Sequence, residues 1–415
     1  MTKFLADLCV LARENPASNQ SQRGRCCYYD GCYQSLSATA LIIAALFAGL
    51  LLPGCEPATE TGVSGTNSML TEGLGGDDVN GYARAMEARE LVFPADHGPH
   101  PDYRNEWWYL TGNLDTPAGR RFGYQATFFR IAVAPPDRLT DSRRSAWATR
   151  QVWMAHVALS DPANQRHQAH ERFTRGAAGL AGAQAEPFRV WLEDWQLQAV
   201  PDGTGRSWRL RSETADFSLD LNLEPLKPIV LQGDAGLSRK STEPGNASFY
   251  YSLPRLETTG TIQTGGAAFP VAGLSWLDRE WSTSALGEAH AGWDWFALQL
   301  DDGRDLMFYQ LRRTDGQRDP LSAGSLINPD GTSRGLRSPD VKLEPRRWWR
   351  SADGVSYPVS WQLQITDGSG YRIEAVFDDQ RMETTVRYWE GMVDVFDAET
   401  GEARGRGYLE LAGYE

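Results

Sequence analysis

The chain has 415 residues, of which 41% are hydrophobic and 23% are charged, and its formal net charge is -13. This length accommodates two or three domains, and the acidic balance argues against nucleic acid as a partner, because a phosphate backbone requires a basic surface. The 15 Trp and 41 Gly residues favour β-structure with many turns.

The first clear signal is an uncharged apolar run at residues 36–52, which follows Arg23 and Arg25 and precedes Leu-Pro-Gly-Cys, ending at Cys55. This pattern is typical of a bacterial lipoprotein signal that is cleaved before a cysteine, which then carries lipid. An uncleaved membrane anchor is the alternative, since the run is close to the shortest that spans a bilayer. Both interpretations predict an extracytoplasmic, lipid-anchored or membrane-anchored protein, and Glu56 favours the outer membrane facing the periplasm.

The last of the five cysteines is Cys55, so disulfides and thiolate metal sites are excluded from the rest of the chain. Residues 1–54 are the predicted signal region. Residues 55–88 are rich in small and polar residues and predict a flexible tether. The β-pattern that follows predicts an N-terminal domain at residues 89–283 and a C-terminal domain at residues 284–415.

Short segments rich in aromatic and β-branched residues, separated by Pro, Gly, Asp and Asn, predict strands throughout the N-terminal part. These are residues 106–115, 121–130, 151–159, 188–197, 207–211, 216–223, 247–253 and 268–274. The first two predict a hairpin around a Thr-Pro-Ala-Gly turn. The best helical candidate, residues 80–90, is short and precedes the first strand.

A weak internal repeat indicates a second β-domain, because Trp295 opens another hairpin around the Asp-Asp-Gly turn at residues 301–303. Further predicted strands are residues 356–365, 371–377, 384–395 and 407–411, and residues 328–340 predict a surface loop. Each half has the size of a barrel, whose interior side chains fill or one small ligand occupies.

The most informative stretch is residues 273–296, where tryptophans surround acidic residues. It contains Trp276, Trp281, Trp293 and Trp295 together with Asp278, Glu280 and Asp294. A carboxyl group beside such rings is desolvated, and its pKa can rise into the range that proton transfer needs. We expect Trp281 and Trp293 in the core, and Trp276 and Trp295 against an apolar ligand. For Asp278, an ion pair with Arg279 is the structural alternative.

Three other groups of residues have both a structural and a functional interpretation. Glu106 precedes two tryptophans, and if it is buried we expect Arg130 on the paired strand as its partner. His156 lies in a predicted strand and is a candidate acid–base residue, with a hydrogen-bonded core histidine as the alternative. His97 and His100 lie in a Pro-containing stretch that predicts an irregular surface segment. They have no third ligand at a useful spacing, so no metal site is expected.

The chain has no G-x-S-x-G motif between a strand and a helix, and no Gly-rich phosphate loop or dinucleotide fingerprint. Serine hydrolysis and nucleotide chemistry are therefore disfavoured.

Several motifs together resemble one group of proteins. They are Asn105-Glu106-Trp107-Trp108-Tyr109, Gly233-Asp234-Ala235-Gly236 with Lys240, Ser248-Phe249-Tyr250-Tyr251-Ser252, Trp276-Leu277-Asp278-Arg279-Glu280-Trp281, Gly292-Trp293-Asp294-Trp295, Tyr388-Trp389-Glu390-Gly391 and Gly407-Tyr408-Leu409-Glu410-Leu411. Over residues 90–415 the chain resembles the lipocalin-like superfamily of carotenoid 1,2-hydratases and AttH proteins, and more narrowly its secreted lipoprotein branch, labelled "predicted secreted hydrolase". The resemblance implies an all-β fold of two tandem lipocalin-like barrels.

In the hydratases that the chain resembles, an acid protonates an isoprenoid double bond and water captures the carbocation, without a metal or organic cofactor. The resemblance implies Asp278 as this acid and Trp276 as its aromatic partner. The hydratases also use a His and an aromatic residue two positions apart in the preceding strand. The comparable positions here are Phe249 and Tyr251, so the His is absent, which counts against carotenoid hydration.

Three functions stay open: binding of an isoprenoid or lipid-like ligand, cofactor-free hydration or isomerisation with Asp278 and His156 as catalytic residues, and an accessory envelope role beside an ABC transporter. No cofactor is expected. The expected partners are a hydrophobic small molecule or lipid and, through Cys55, the membrane. The residues expected to contact the ligand are Trp276, Trp295, Tyr251, Trp108 and Tyr109.

Overall fold

The structure is a computed structural model. It describes residues 79–136, 147–201, 206–284, 286–287 and 289–414. The predicted signal region, Cys55 and most of the predicted tether lie outside the described residues. In the described part of the chain, no helix is long and apolar enough to cross a membrane.

The described residues form two antiparallel sheets that follow one another in the chain. The first sheet contains β1 (Asn105–Asp115), β2 (Arg121–Ala132), β3 (Gln151–Asp161), β4 (Arg166–Arg175), β5 (Ala181–Gln184), β6 (Arg189–Leu192), β7 (Trp195–Ala199), β8 (Trp208–Glu213), β9 (Phe217–Pro225), β10 (Val230–Leu231), β11 (Leu237–Arg239), β12 (Ala247–Thr264) and β13 (Ala267–Ser282). The second sheet contains β14 (His290–Leu300), β15 (Asp305–Arg313), β16 (Ala323–Ile327), β17 (Ser333–Arg337), β18 (Val341–Arg350), β19 (Ser356–Ile365), β20 (Gly370–Ala375), β21 (Arg381–Met382), β22 (Tyr388–Asp397) and β23 (Ala403–Ala412).

The first sheet curves into a nearly closed barrel and the second into a half-barrel, so the predicted all-β, barrel-like fold is confirmed. In the first sheet, β13 lies between β1 and β12, and the long β12–β13 hairpin continues to β9. Because side chains alternate between the two faces of a strand, β13 sends Leu277, Arg279 and Trp281 into the barrel. Its other face carries Trp276, Asp278 and Glu280.

Side chains fill the interior of the first barrel. The largest of them are the tryptophans, which bury much apolar area and dominate such a core. They are Trp108, Trp153, Trp195, Trp208 and Trp281. The second sheet has its own core around Trp361 and Trp389.

A buried ion cluster lies inside the first barrel at Glu106. Its carboxylate accepts hydrogen bonds from Arg130 and Arg279, and all three side chains are fully buried. The guanidinium of Arg279 also stacks over Trp108 at 3.8 Å from the ring centroid. The predicted pairing of Glu106 with Arg130 is therefore confirmed, and Arg279 contacts Glu106 instead of Asp278.

The two sheets pack against each other within one compact unit. A third apolar cluster joins residues of both sheets, among them Tyr109 and Trp276 from the first and Met307 and Met392 from the second. Ion pairs cross the same boundary: Asp305 accepts hydrogen bonds from Lys227 at 2.6 Å and from Arg255 at 2.7 Å. The contact between the two sheets therefore has both an apolar part and a charged part.

Three sequence expectations about local structure are wrong. Residues 80–90 are not helical. Their backbone makes hydrogen bonds to distant parts of the chain instead, such as the one from the N–H of Ala83 to the carbonyl of Asp102. Residues 188–197 form two strands instead of one, since Glu193 adopts a φ of 57° and reverses the chain. Residues 328–340 include β17. Both predicted hairpins are confirmed.

Candidate functional site

Asp278 is the centre of a hydrogen-bonded group on the face of β13 that meets the second sheet. Its carboxyl oxygens accept hydrogen bonds from Ser252 Oγ at 2.5 Å, from Trp276 Nε1 at 2.7 Å and from the hydroxyl of Tyr250. Ser252 lies directly across β12–β13 from Asp278, and Trp276 lies two residues away on the same face. Only 3% of Asp278 is exposed.

Trp295 of the second sheet completes this group. Its indole nitrogen donates a hydrogen bond to the hydroxyl of Tyr250 at 3.1 Å. Its ring makes edge contacts with Tyr109 at 5.1 Å and with Trp276 at 6.3 Å between centroids. Asp278 is therefore enclosed by aromatic rings contributed by both sheets.

The protonation equilibrium of Asp278 is shifted by this environment. Burial raises the pKa of Asp278 to about 7, against the hydrogen bonds from Ser252, Tyr250 and Trp276, which lower it. The neighbouring charge of Glu280 raises the pKa further. Near neutral pH the carboxyl can therefore both donate and accept a proton, as a general acid or base requires.

Glu280 lies two residues beyond Asp278 and has a different partner. Lys240 Nζ lies 3.1 Å from its carboxylate, and Ser248 Oγ donates a hydrogen bond to it. The ammonium group of Lys240 also lies 4.3 Å from the ring centroid of Tyr309. The acid of β13 that is paired with a cation is thus Glu280, while Asp278 is held by neutral donors.

The structure separates the residues predicted to contact a ligand into two groups. Tyr109, Trp276 and Trp295 lie together at Asp278. Trp108 and Tyr251 lie on the opposite face, inside the filled barrel. Successive residues of a strand point to opposite faces, so these five side chains do not line one pocket.

His156 makes no hydrogen bond to Asp278 among the described residues. It is fully buried on β3, and its Nδ1 is 2.8 Å from the hydroxyl of Tyr388 on the second sheet. Burial lowers the pKa of His156 to about 3, which keeps the ring neutral near neutral pH.

The stretch around His97 differs from the surface segment that its prolines predict. The ring of His97 packs against Phe188 and Trp208 at one end of the barrel, and the Nδ1 atom of His97 is 2.7 Å from the hydroxyl of Tyr251. His100 stacks on Trp281. The segment before β1 therefore closes part of the barrel, which a local sequence pattern does not indicate.

Tyr250 and Ser252 were not predicted as partners of Asp278. The positions expected from the resemblance were their neighbours, Phe249 and Tyr251, which face the barrel interior. A shift of one residue moves every side chain of a strand to the other face. The alternation of Ser248, Tyr250 and Ser252 with apolar neighbours was the available signal.

Comparisons with known proteins agree with this architecture. A model of the AttH-like family matches residues 84–414. Kievitone hydratase from Fusarium solani subsp. phaseoli is 21% identical over 234 residues, which are 54% of this chain and only 65% of that protein.

Solved structures show the same fold. An AttH protein from Nitrosomonas europaea is 38% identical, with a TM-score of 0.70 over 80% of this chain and all of that chain. Kievitone hydratase from Nectria haematococca is 14% identical, with a TM-score of 0.61 over 80% of this chain and 95% of that one. At that identity the second likeness shows the fold alone. With the family model matching 84–414, the chain belongs to the AttH-like family and has a hydratase-like AttH fold.

Proposed function

We propose that this protein is a cofactor-free, hydratase-like enzyme that adds water to a carbon–carbon double bond of an apolar, isoprenoid-like molecule, with Asp278 as the acid. The observation that carries this proposal is a buried carboxyl group with a pKa of about 7, enclosed by aromatic rings and held by neutral donors. The similarity to kievitone hydratase supports the same class of reaction.

The reaction begins when Asp278 transfers its proton to one carbon of the double bond, leaving a carbocation on the other. The oxygen of a water molecule then bonds to that carbocation, and one water proton leaves to a base. The faces of Trp276 and Trp295 stabilise the positive charge. A proton returned to Asp278 completes the cycle, so the net change is the addition of one water molecule.

The proposed substrate site lies between the sheets. The interior of the first barrel is occupied by tryptophans, whereas Asp278 faces the side chains of the second sheet. Because only 3% of Asp278 is exposed, the substrate must displace some of these side chains on entry. Met307 and Met392, which pack there, are flexible enough to rearrange.

The second candidate is an extracytoplasmic lipoprotein, anchored through Cys55, that binds an apolar molecule at the same place without converting it. The adaptable Met and aromatic surface between the sheets favours this alternative. In that case the raised pKa of Asp278 leaves the carboxyl group uncharged against the ligand at mildly acidic pH, where an ordinary aspartate is ionised.

The test uses the full chain in detergent, incubated with a panel of unsaturated isoprenoids and prenylated phenols in water enriched in heavy oxygen. We expect a product that has gained one labelled water molecule, detected by mass spectrometry. Asp278→Asn removes the proton donor and should lower turnover by about 10²-fold or more. Asp301→Asn, in an exposed turn, is the control.

Unchanged turnover in Asp278→Asn would refute the role of this carboxyl group as the acid. A compound that binds stoichiometrically to the wild-type protein and gains no water would favour the binding function.

A further inference from the structure

A pair of acids, one buried and one half-buried, faces the same boundary from the other sheet. Glu390 of β22 and Glu410 of β23 lie directly opposite each other across the strand pair. Glu390 is fully buried, and its Oε1 accepts a hydrogen bond from the hydroxyl of Tyr109 at 2.8 Å. Glu410 Oε1 accepts one from Trp293 Nε1 at 2.7 Å.

This pair is balanced by no cation in the described part of the chain. The groups that shift the pKa of Glu390 are the surrounding protein, which raises it by burial, then Glu410, which raises it, and Tyr109, which lowers it. Oε2 of Glu390 is buried and has no hydrogen-bond partner among the described atoms. A buried carboxylate at Glu390 that faces the acid Glu410 without a cation is too costly to remain ionised, so a proton on Glu390 that is shared with the half-buried Glu410 accounts for the arrangement.

The pair belongs to the same site as Asp278. Tyr109, which donates to Glu390, lies directly across β1–β13 from Asp278. Trp295 lies directly across β14–β23 from Glu410. The charge of Asp278 also raises the pKa of Glu410, which lies at about 7 mainly because of burial.

We propose that Glu410 is the base that accepts the proton of the attacking water, and that Glu390 is a positioning residue that stays protonated and donates a hydrogen bond to Glu410. This inference rests on the proposed hydration, to which it adds the second proton-transfer group. It also assigns a role to two family motifs whose acids the reaction of Asp278 leaves unused.

The proton balance of the reaction is complete with these groups. The O–H bond of Asp278 breaks as a C–H bond forms, and the bond from water oxygen to carbon forms as one O–H bond of water breaks. That proton goes to Glu410, while Glu390 keeps its own. Transfer of the proton from Glu410 back to Asp278 restores both groups.

The pH dependence of turnover follows from two carboxyl groups that must be in opposite protonation states. Asp278 must be protonated and Glu410 ionised, so turnover should show a narrow maximum near neutral pH, with apparent pKa values that belong to the coupled set. The other titratable groups facing the pair are Tyr109 from β1, Tyr388 from β22, Tyr408 from β23 and Glu280 from β13. The pKa values of the three tyrosines are raised well above 10, so they stay neutral.

The experiment compares variants of the full chain in two measurements. Infrared spectra with isotope-labelled glutamate detect a protonated glutamate at about pH 9, where Glu410, whose pKa is about 7, is ionised. The labelled-water assay measures turnover. The variants are Glu390→Gln, Glu390→Leu, Glu410→Gln and, as the control on the exposed face of β12, Glu257→Gln.

We expect the band of a protonated glutamate to disappear in Glu390→Gln and to persist in Glu410→Gln and in the control. Turnover should fall about 10²-fold or more in Glu410→Gln. Glu390→Gln retains an amide that imitates the protonated carboxyl, so its loss should stay within about tenfold, whereas Glu390→Leu should lose as much as Glu410→Gln.

A band that persists in Glu390→Gln would overturn the protonation of Glu390, and unchanged turnover in Glu410→Gln would overturn the base. If the wild-type protein hydrates none of the compounds, the proposed function fails and the base role with it. The infrared measurement would still test the protonation of Glu390, because it needs no substrate.

Discussion

At the scale of single residues, buried carboxyl groups in this protein differ according to what surrounds them. Glu106 and Asp278 are both buried on paired strands. Arg130 and Arg279 hold the pKa of Glu106 well below its usual range, although burial alone would raise it. Asp278 has hydroxyl and indole donors instead, so burial prevails and raises its pKa. Adjacent strands thus carry one structural acid and one candidate catalytic acid.

Replacing Glu106 should reveal the cost of unpaired buried charge. Glu106→Gln leaves the guanidinium groups of Arg130 and Arg279 buried without their anion, so the free energy of unfolding should fall by about 3–5 kcal/mol. Urea denaturation followed by tryptophan emission measures this. Glu224→Gln, on an exposed position of β9, should change it by less than about 0.5 kcal/mol. An equally small effect at Glu106 would show that the cluster is not stabilising.

At the scale of elements, β2 approaches the second sheet closely because Gly123 has no side chain. A Cβ atom at this position would lie 2.2 Å from Cγ of Met392 and 2.6 Å from the hydroxyl of Tyr408. Met392 is fully buried between the sheets, so it has little space into which to move. The packing of β2 on β22 and β23 therefore depends on this glycine.

Gly123→Ala should separate the sheets locally. We expect a loss of about 1–3 kcal/mol in the free energy of unfolding, as is usual for overpacking, together with faster hydrogen exchange in β22. Gly335→Ala is a matched control in β17, because no atom lies within 4 Å of the Cβ it would add. Equal effects of the two substitutions would mean that the contact at Met392 is not tight.

At the scale of the whole molecule, the boundary between the sheets gathers acids whose pKa values are raised by burial. Asp278 rises from 3.8 to about 7, Glu410 from 4.5 to about 7, and Glu390 well above 4.5. A carboxyl group with a raised pKa holds its proton more tightly in the folded state, so stability falls as the pH rises from the unfolded value toward the folded one.

The protein should therefore lose stability as the pH rises from about 6.5 to about 8, where histidines are neutral in both states. Between about pH 4 and 6.5 this loss is opposed by His156, whose pKa is lowered to about 3, because it gains a proton only on unfolding. Below this window the sign reverses, because the lowered pKa of Glu106 contributes stability that acid removes. Urea midpoints measured across the window give the slope of stability against pH. Asp278→Asn should make this slope shallower, whereas Asp301→Asn should leave it unchanged. Stability that is flat or rises across the window in the wild-type protein would contradict the raised pKa values.

Much of this organisation could be predicted from the sequence, because it depends on local patterns. Alternation and turn residues predicted the β-fold and both hairpins, and the pairing of Glu106 with Arg130 followed from a hairpin register that one turn determines. The density of Trp around Asp278 indicated a desolvated carboxyl group. These inferences need only neighbours in the chain or across a single turn.

The rest depended on tertiary structure. The one-residue choice between Tyr250 and Tyr251 is decided by which face of β12 meets the second sheet. Glu390 and Tyr109 are 281 positions apart, so no pattern in the chain reveals that they share a hydrogen bond. The sequence alone determined most of the strands, the family resemblance and the candidate acid. Only the packing of the half-barrel against the filled barrel decided which side chains surround that acid, because burial and charge at a site are set by everything that folds around it.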